Sequence, residues 1–532
     1  MKAKYYIPCI IGSVLLCMNL LTSCDDDDKS GDPPRLFRPQ FEEITSAGNW
    51  IKAMWYKYEG ATSFVIELSR DTFKTEPIAS ASVDTTFYTF EDLLWDTEYQ
   101  IRIMSKGNQI QSDYLVMVGG KTSDFPTKLL SPGSEDIIDV GIRVKWQVEA
   151  EAYTELQLSD SNDEVLQTIA LTPEEYAKGE IIINHLEPSK TYRVRAYTGE
   201  DYKGKKNYTT VPTQEFEGNV IDLRGMDPEE AETLITTSYL ADLEDNTTLV
   251  LSGGTTYTLN GAAFTNKSVK FVTGYSFDGM AKFSINSDLK LTANTTTPKI
   301  EFENIYFTTA GNIDDSTANY GGKYIFNLNA ANTGINLIVF SNCQFKYFRG
   351  IFRLQAGPTI DKAVIDGCMI ERIGGYGILN VDNNGATMKE MVLTNSTVYY
   401  ADKVLVNSKS TTTTSVTIEN CTFCNTPATS GFICDFNGRN PEIVIRNNIF
   451  GSGKDKAATN YFRAGSTATS ENNYGTTDYV EATHAETGAK VNGIPDITVA
   501  STGTFTNPSA LDFTINDSKF PGISAGDPRW RP

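Results

Sequence analysis

Histidine is almost absent from this sequence: His185 and His484 are the only two among 532 residues. Cysteine is also scarce, and the eight that occur form no recognisable disulfide framework. The spacing Cys421-Thr-Phe-Cys424 is compatible with zinc, but no second pair and no nearby histidine accompany it. We therefore expect neither a zinc site nor histidine-based acid–base chemistry.

Basic residues are in deficit as well. Lys and Arg total 46 against 67 Asp and Glu, which gives a net charge of −21. Such a charge disfavours binding to nucleic acid and to polyanions in general. An acidic polymer would need a local basic patch or a bridging cation.

Long apolar runs are absent beyond the N-terminus, where Ile7–Leu21 follows two lysines and predicts a signal peptide over residues 1–23. Its end, Leu21-Thr-Ser-Cys24, resembles a lipobox and implies lipidation of Cys24. Asp25–Asp28 resemble the export signal of surface lipoproteins in some Gram-negative bacteria. The alternatives are a plain signal peptide and a merely solvated tether. We expect a lipid anchor in the outer membrane, at the cell surface, with residues 24–38 as an acidic tether.

A repeated phrase dominates residues 300–450: alternating apolar residues, then Asn or Gly, then a small residue and a further apolar one. The Asn or Gly positions are Asn304, Asn342, Gly367, Asn395, Asn420 and Asn447. After a longer first gap they recur every 25–28 residues. This period is typical of a solenoid, in which neighbouring units bury each other's apolar faces.

Each repeat unit is predicted to contain three short strands. The alternation indicates a strand, and its change of parity at Asn indicates a bend, because Asn tolerates left-handed backbone. Cys343, Cys368 and Cys421 follow the bend on one column and are predicted to be buried small hydrophobes. The third strands are Ile351–Gln355, Ile378–Asp382, Val404–Ser408, Ile433–Asn437 and Tyr461–Arg463. Three strands per turn predict a parallel β-helix.

This pattern, over residues 218–532, resembles the pectate-lyase-like right-handed β-helix. The resemblance implies an internal Asn ladder, so that Asn395 and Asn420 would be buried. It also implies that the third strand counted here is the family's first strand, whose outer face binds polysaccharide. Asp227–Glu232 is expected to form a capping helix. The closing phrase Gly526–Trp530 is similar to that of surface lipoproteins from glycan-utilisation loci.

Residues 39–123 and 124–217 alternate short strands with turn clusters. Each has an early tryptophan and a later Leu, Thr and Tyr phrase that ends at Tyr99 or Tyr192. Both segments resemble fibronectin type III sandwiches. We expect them to act as spacers, with direct glycan binding as the alternative.

The outer face of the third strands carries polar side chains about 4.8 Å apart, a spacing that suits successive parts of a sugar chain. Aromatic residues in the preceding loops offer faces to sugar C–H groups. The predicted glycan-binding residues are Arg353, Tyr376, Asn380, Asp382, Tyr400, Asp435 and Arg463. The alternative is an ordinary solvated polar face.

An enzymatic alternative is a calcium-dependent polysaccharide lyase. By resemblance to pectate lyases, Asp382 and Asp435 would hold calcium, and Arg353, Arg372 or Arg463 would abstract the C5 proton. Calcium prefers six to eight oxygens, whereas these two acids lie about two rungs apart. We therefore expect binding without turnover and without a required cofactor.

The prediction is an all-β chain: two fibronectin type III-like sandwiches followed by a right-handed parallel β-helix. Its predicted function is to bind a polysaccharide, possibly of pectin type, for a glycan-uptake system. The expected partners are the polysaccharide, the outer membrane through Cys24, and components of an outer-membrane glycan transporter, with no nucleic acid. A structural or adhesive surface protein is a third interpretation.

Overall fold

The computed structural model describes residues 35–429, 431–453, 462–479, 499–516 and 524–531. The signal peptide, Cys24 and Asp25–Asp28 lie outside the described residues, as do His484 and Tyr461. The described chain is nearly all β. None of its helices has the length and apolar character that crossing a membrane requires.

The chain divides into two compact units. The first comprises residues 1–129, 146–179 and 193–206, and the second comprises residues 130–145, 180–192 and 207–532. The strands of the segment 124–217 are therefore shared between the two units.

The first sandwich lies entirely in the first unit. Its three-stranded sheet has the order Phe41–Ala47, Trp50–Trp55 and Phe87–Phe90, and its four-stranded sheet has the order Ala79–Val83, Ser63–Ser69, Glu98–Lys106 and Leu115–Lys121. Inward residues of both sheets form one core, in which the ring centroids of Trp55 and Phe64 lie 5.4 Å apart. The hydroxyl of Tyr99 accepts a hydrogen bond from the backbone N–H of Leu94 at 3.0 Å, a tyrosine corner that fixes the loop before the strand.

The following segment repeats the four-stranded order and has a two-stranded sheet where the first sandwich has three strands. Gly141–Lys145 pairs with Glu180–Asn184, and a four-stranded sheet has the order Val165–Ala170, Glu155–Ser159, Thr191–Thr198 and Asp201–Thr209. The hydroxyl of Tyr192 accepts from the N–H of Glu187 at 2.8 Å, which repeats the tyrosine corner. The predicted fibronectin type III-like character of the N-terminal sheets is confirmed.

The remainder is the predicted parallel β-solenoid, and it has about nine turns. Its strands form three rows. The first row is Asn219–Asp222, Thr247–Leu251, Val269–Thr273, Thr296–Glu303, Gly334–Ser341, Thr359–Asp366, Thr387–Thr394, Ser415–Glu419, Glu442–Arg446 and Thr469–Glu471. The second row is Thr256–Asn260, Ala281–Ser287, Ile305–Thr309, Gln344–Leu354, Met369–Val381, Thr397–Ala401, Thr422–Cys424, Ile449–Phe450 and Tyr474–Gly475.

The third row carries the predicted binding face. Its separate strands are Ala263–Phe264, Lys290–Leu291, Tyr324–Leu328, Leu405–Val406, Cys434–Phe436 and Phe462–Ala464. In two coils the second and third strands merge into one long strand, Gln344–Leu354 and Met369–Val381. The C-terminal part of each long strand belongs to the third row. The predicted separate strands Ile351–Gln355 and Ile378–Asp382 thus belong to longer ones.

The bend between the first and second rows follows the predicted repeat. The residues at this bend all have φ between 49° and 64°: Asn304, Asn342, Gly367, Asn395, Asn420, Asn447 and Asn472. Gly and Asn adopt this left-handed conformation at a lower energetic cost than most residues, which explains why they recur at this bend. The expectation that Asn395 and Asn420 are buried is wrong, since both are half-buried.

The buried ladder lies one residue later. Cys343, Cys368 and Cys421 are fully buried there, as predicted, and Asn448 and Asn473 continue the column. The amide of Asn448 donates to Asn473 Oδ1 at 2.9 Å, and its Oδ1 accepts from the N–H of Cys421 at 2.8 Å. Elsewhere the core stacks Phe271, Phe302 and Phe340, with ring centroids 5.3 and 5.1 Å apart.

The N-terminal end of the solenoid is covered by a short helix. The predicted helix forms as Pro228–Glu232, capped by Asp227, whose carboxylate accepts from the N–H of Glu229 at 2.9 Å. The C-terminal segment packs along the side of the second row instead, where Phe505 and Phe513 share a core with Tyr399 and the indole N–H of Trp530 donates to Thr397 Oγ1 at 2.7 Å. The other helices are Pro173–Ala177, Thr237–Asp242 and Ser501–Thr504, with 3₁₀ turns at Ser134–Asp136, Ala318–Gly322, Pro508–Ala510 and Pro528–Trp530, and Phe505–Asn507 pairs with Asp512–Ile515.

Candidate functional site

The third row aligns one column of side chains as the sequence predicts. Parallel pairing places Asn327, Arg353, Asn380, Val406, Asp435 and Arg463 on successive rungs. At the usual strand spacing these six rungs cover about 24 Å. The column is therefore long enough to follow several sugar residues.

Solvent does not reach the whole column. Asn380 and Asp435 are only 5 % and 3 % exposed. Both are predicted to bind glycan on the outer face, but this burial leaves little of either side chain for a ligand to contact. Asn380 folds back, so that its amide donates to the carbonyl of Tyr376 at 2.7 Å, whereas Asp435 lies under the guanidinium of Arg463.

Arg353, Asp382 and Tyr376 form one compact group. Nε and Nη2 of Arg353 lie 2.9 and 2.5 Å from Oδ2 of Asp382. The same guanidinium lies 4.3 Å from the ring centroid of Tyr376. Although desolvation opposes the charged form, the hydrogen bond and charge of Asp382 raise the pKa of Arg353 above its ordinary value. The guanidinium of Arg353 is thus held against the ring of Tyr376, while Asp382 neutralises part of its positive charge.

Arg349 contributes a second guanidinium to the same ring, 4.4 Å from the centroid of Tyr376. Within the described part of the chain, Arg349 has no carboxylate partner, and its Nε is buried without a hydrogen bond. Because two guanidiniums already contact Tyr376, this ring is less available as a sugar platform than predicted. Its contacts instead hold two cations beside the column.

A second group of similar composition lies further along the row. Nε and Nη2 of Arg463 contact the two carboxylate oxygens of Asp435 at 2.8 and 2.7 Å. The guanidinium also lies 4.3 Å from the ring centroid of Phe432. Arginine, carboxylate and aromatic ring thus recur at two heights of the face.

Arg372 and Tyr400 lie on a neighbouring column, at the end of the second row. Both have left-handed backbone, with φ of 58° and 61°. Arg372 is ion-paired with Asp315 and lies 5.4 and 4.9 Å from the rings of Tyr399 and Tyr400. Tyr400 is 44 % exposed, so its ring remains accessible to a ligand.

The carboxylates proposed for calcium are already engaged by arginine. Asp382 is paired with Arg353, and Asp435 with Arg463. The described residues contain no group of three His, Cys, Asp or Glu that could hold a metal ion. In the Cys421-Thr-Phe-Cys424 segment both thiols are buried, and burial raises the pKa of Cys424 to about 11, which disfavours a metal-binding thiolate.

Four residues of the site escaped the sequence prediction: Arg349, described above, and three others. Asn327 stands one rung before Arg353, and its Oδ1 accepts from the amide of Gln355 at 2.8 Å. Phe432 covers Arg463, and the ring of Tyr324 packs against Tyr376. Extending the repeat one unit towards the N-terminus would have found Asn327. The two rings carry no periodic signal.

Two family models match parts of the solenoid. A domain of unknown function (DUF4957) covers residues 255–401, and another domain of unknown function (DUF5123) covers residues 416–530. A search of curated proteins gives no match. These matches assign no activity to the chain.

Among solved structures, matches include a two fibronectin type-III domain segment from chicken tenascin, at 14 % identity and a TM-score of 0.20, covering 32 % of this chain and 98 % of that one. The chicken CNTN1 FN1–FN3 domains match at 16 % identity and a TM-score of 0.15, covering 34 % of this chain and 68 % of that one. The fibronectin type III-like character of the N-terminal sheets follows from their strand order rather than from these scores.

Proposed function

We propose that this protein is a cell-surface lipoprotein whose solenoid binds a polysaccharide along the third row, as part of a glycan-uptake system. The observation that carries the proposal is the pair of guanidiniums, Arg349 and Arg353, held against Tyr376. On a chain with a net charge of −21, this pair provides the local basic patch that an acidic glycan requires.

The distribution of charge supports an acidic glycan. Arg349 has no carboxylate partner among the described residues, and Arg353 shares its charge with Asp382. A sugar carboxylate approaching the half-buried Arg349 would gain charge-assisted hydrogen bonds from the part of its guanidinium that remains exposed. Tyr400, accessible on the neighbouring column, adds an aromatic face.

Binding fits the geometry better than lyase chemistry does. A calcium ion at Asp382 or Asp435 would have to displace an arginine and leave its charge unpaired. The localisation part of the proposal rests on the sequence Leu21-Thr-Ser-Cys24 and the acids that follow it. The glycan-uptake role rests on the resemblance of the chain to lipoproteins of such systems.

A glycan array tests the proposal. The mature chain should bind acidic polysaccharides and should produce no ultraviolet absorbance of an unsaturated product when it is incubated with them. Product formation that stops on chelation of calcium would make the protein a lyase. Absence of binding to every glycan on the array would favour the structural or adhesive interpretation.

A further inference from the structure

A cleft of about 640 Å³ lies within the first unit, to which all of its lining residues belong. Its walls come from the loop Asp92–Thr97, from Phe125, and from the hairpin around Glu200. The volume falls in the range of small-ligand sites, which occur preferentially where two modules meet.

Aromatic rings form two walls of the cleft. Trp95 packs edge-on against Phe125, with centroids 5.3 Å apart, and Tyr197 packs against Tyr202 at 5.8 Å. All four rings are partly exposed. The indole N–H of Trp95 has no hydrogen-bond acceptor among the described residues and is free to bind one. Rings that expose both a face and a polar group suit a ligand with apolar C–H faces and hydroxyls.

Ion pairs hold the walls in place. Asp96 accepts from Lys121 at 2.6 Å and from Lys205 at 2.5 Å, and the hydroxyl of Tyr202 donates to Asp124 at 2.5 Å. The cleft is therefore formed before a ligand arrives, which reduces the ordering that binding would otherwise require.

The unmatched charge at the rim is negative. Asp92, Glu200 and Asp201 are exposed and have no ion pair within the described chain. The cations are compensated, since Lys203 pairs with Glu151 at 2.8 Å and Arg195 with Asp163 at 2.6 Å. Carboxylates accept hydrogen bonds from hydroxyl groups and repel anions.

We propose that this cleft is a second binding site and that it takes a short neutral oligosaccharide. Aromatic walls contact the C–H faces of the sugar rings, and the rim carboxylates accept from their hydroxyls. The proposal is independent of the solenoid site, whose basic character selects the opposite kind of glycan. One chain would then engage neutral and acidic parts of a polysaccharide at separate places.

The test uses the whole mature chain on an array of neutral and anionic oligosaccharides. The wild type should bind at least one neutral oligosaccharide, and Trp95→Ala should lower that affinity about tenfold, as expected for an aromatic anchor. Tyr56→Ala, which removes an aromatic residue of the same sandwich that is 51 % exposed and does not line the cleft, should change nothing. Asp201→Asn should weaken the same binding about threefold. Because this exposed carboxylate has no ion-pair partner within the described chain, the substitution should not disturb folding, and a loss of affinity can be assigned to the cleft.

The experiment distinguishes failure of the cleft proposal from failure of the solenoid proposal. Arg349→Ala should leave neutral-glycan binding unchanged while it weakens acidic-glycan binding. The proposal is overturned if the wild type binds no neutral oligosaccharide. It is also overturned if Trp95→Ala and Asp201→Asn both bind such a ligand with full affinity, or if the residues of the cleft prove to bind an anionic glycan.

Discussion

Arg353 and Asp382 connect two adjacent coils through a single carboxylate oxygen, with Nε and Nη2 at 2.9 and 2.5 Å from Oδ2. Both side chains keep some exposure, 18 % for Arg353 and 25 % for Asp382, so the pair contributes little to folding stability. Its main effect is on the charge of the face, because Asp382 cancels one of the two cations beside Tyr376.

This ion pair predicts that substituting Asp382 and substituting Arg353 change the affinity for an acidic polysaccharide in opposite directions. Asp382→Asn should raise the affinity for an acidic polysaccharide about two- to fivefold, since it leaves Arg353 unneutralised, whereas Arg353→Ala should lower it. Isothermal titration measures both. Asp361→Asn is the matched control: this acid pairs with Lys389 on the first row at 2.6 Å, and its loss changes the net charge equally. An equal increase in Asp361→Asn would show that only total charge matters.

The second arginine pair is expected to contribute to stability. Asp435 is 3 % exposed, and the ion pair with Arg463 provides its charged hydrogen bonds. Arg463→Met leaves a buried, unpaired carboxylate and should destabilise the solenoid by about 3 kcal/mol, measured by urea unfolding. Adding Asp435→Asn to that variant should restore part of the loss. A double variant less stable than Arg463→Met would refute the account of this pair.

The bend of the solenoid gives a conformational prediction. Asn420 has a φ of 54°, and its Oδ1 accepts from Arg531 at 2.9 Å. Asn420→Gly and Asn420→Val both lose this hydrogen bond, but only valine has a side chain that opposes left-handed backbone. The valine variant should therefore unfold about 1–2 kcal/mol more easily than the glycine variant. Equal stability of the two variants would show that the left-handed backbone at position 420 does not disfavour valine.

Cys24 and the acids after it carry a prediction about localisation. Protease added to intact cells should degrade the wild-type protein, because we expect it on the outer face of the outer membrane. Replacing Asp25–Asp28 with alanine should protect it until the cells are lysed, while the melting temperature stays the same. Complete protection of the wild type would contradict surface exposure.

Much of the fold was predictable because it depends on local rules. The left-handed bend at Asn420 and its equivalents requires Asn or Gly, so the repeat marks the bend directly. When the bends of successive repeats are aligned in the sequence, the parallel pairing of Arg353 with Asn380 and of Asp435 with Arg463 follows. Alternation then determines which side chains point away from the core.

The contacts made by side chains on the outer face were less predictable, because a long side chain can reach several neighbours. Asn380 could have faced solvent but bonds to the backbone of Tyr376 instead. Nothing in the order of residues indicates that two arginines would both contact that ring. Likewise, Arg372 and Tyr400 adopt left-handed backbone that their own preferences oppose, so tertiary packing sets it.

The most direct test of the solenoid site is the affinity of Arg349→Ala for acidic polysaccharides, polygalacturonate among them, by affinity electrophoresis. Arg446→Ala is the control, since Arg446 lies on the first row and pairs with Glu419 at 2.9 Å. We predict that the wild type and Arg446→Ala are retarded alike, and that Arg349→Ala loses about tenfold in affinity without a change in melting temperature. Equal retardation of Arg349→Ala and the wild type, or retardation of neither, would contradict the account.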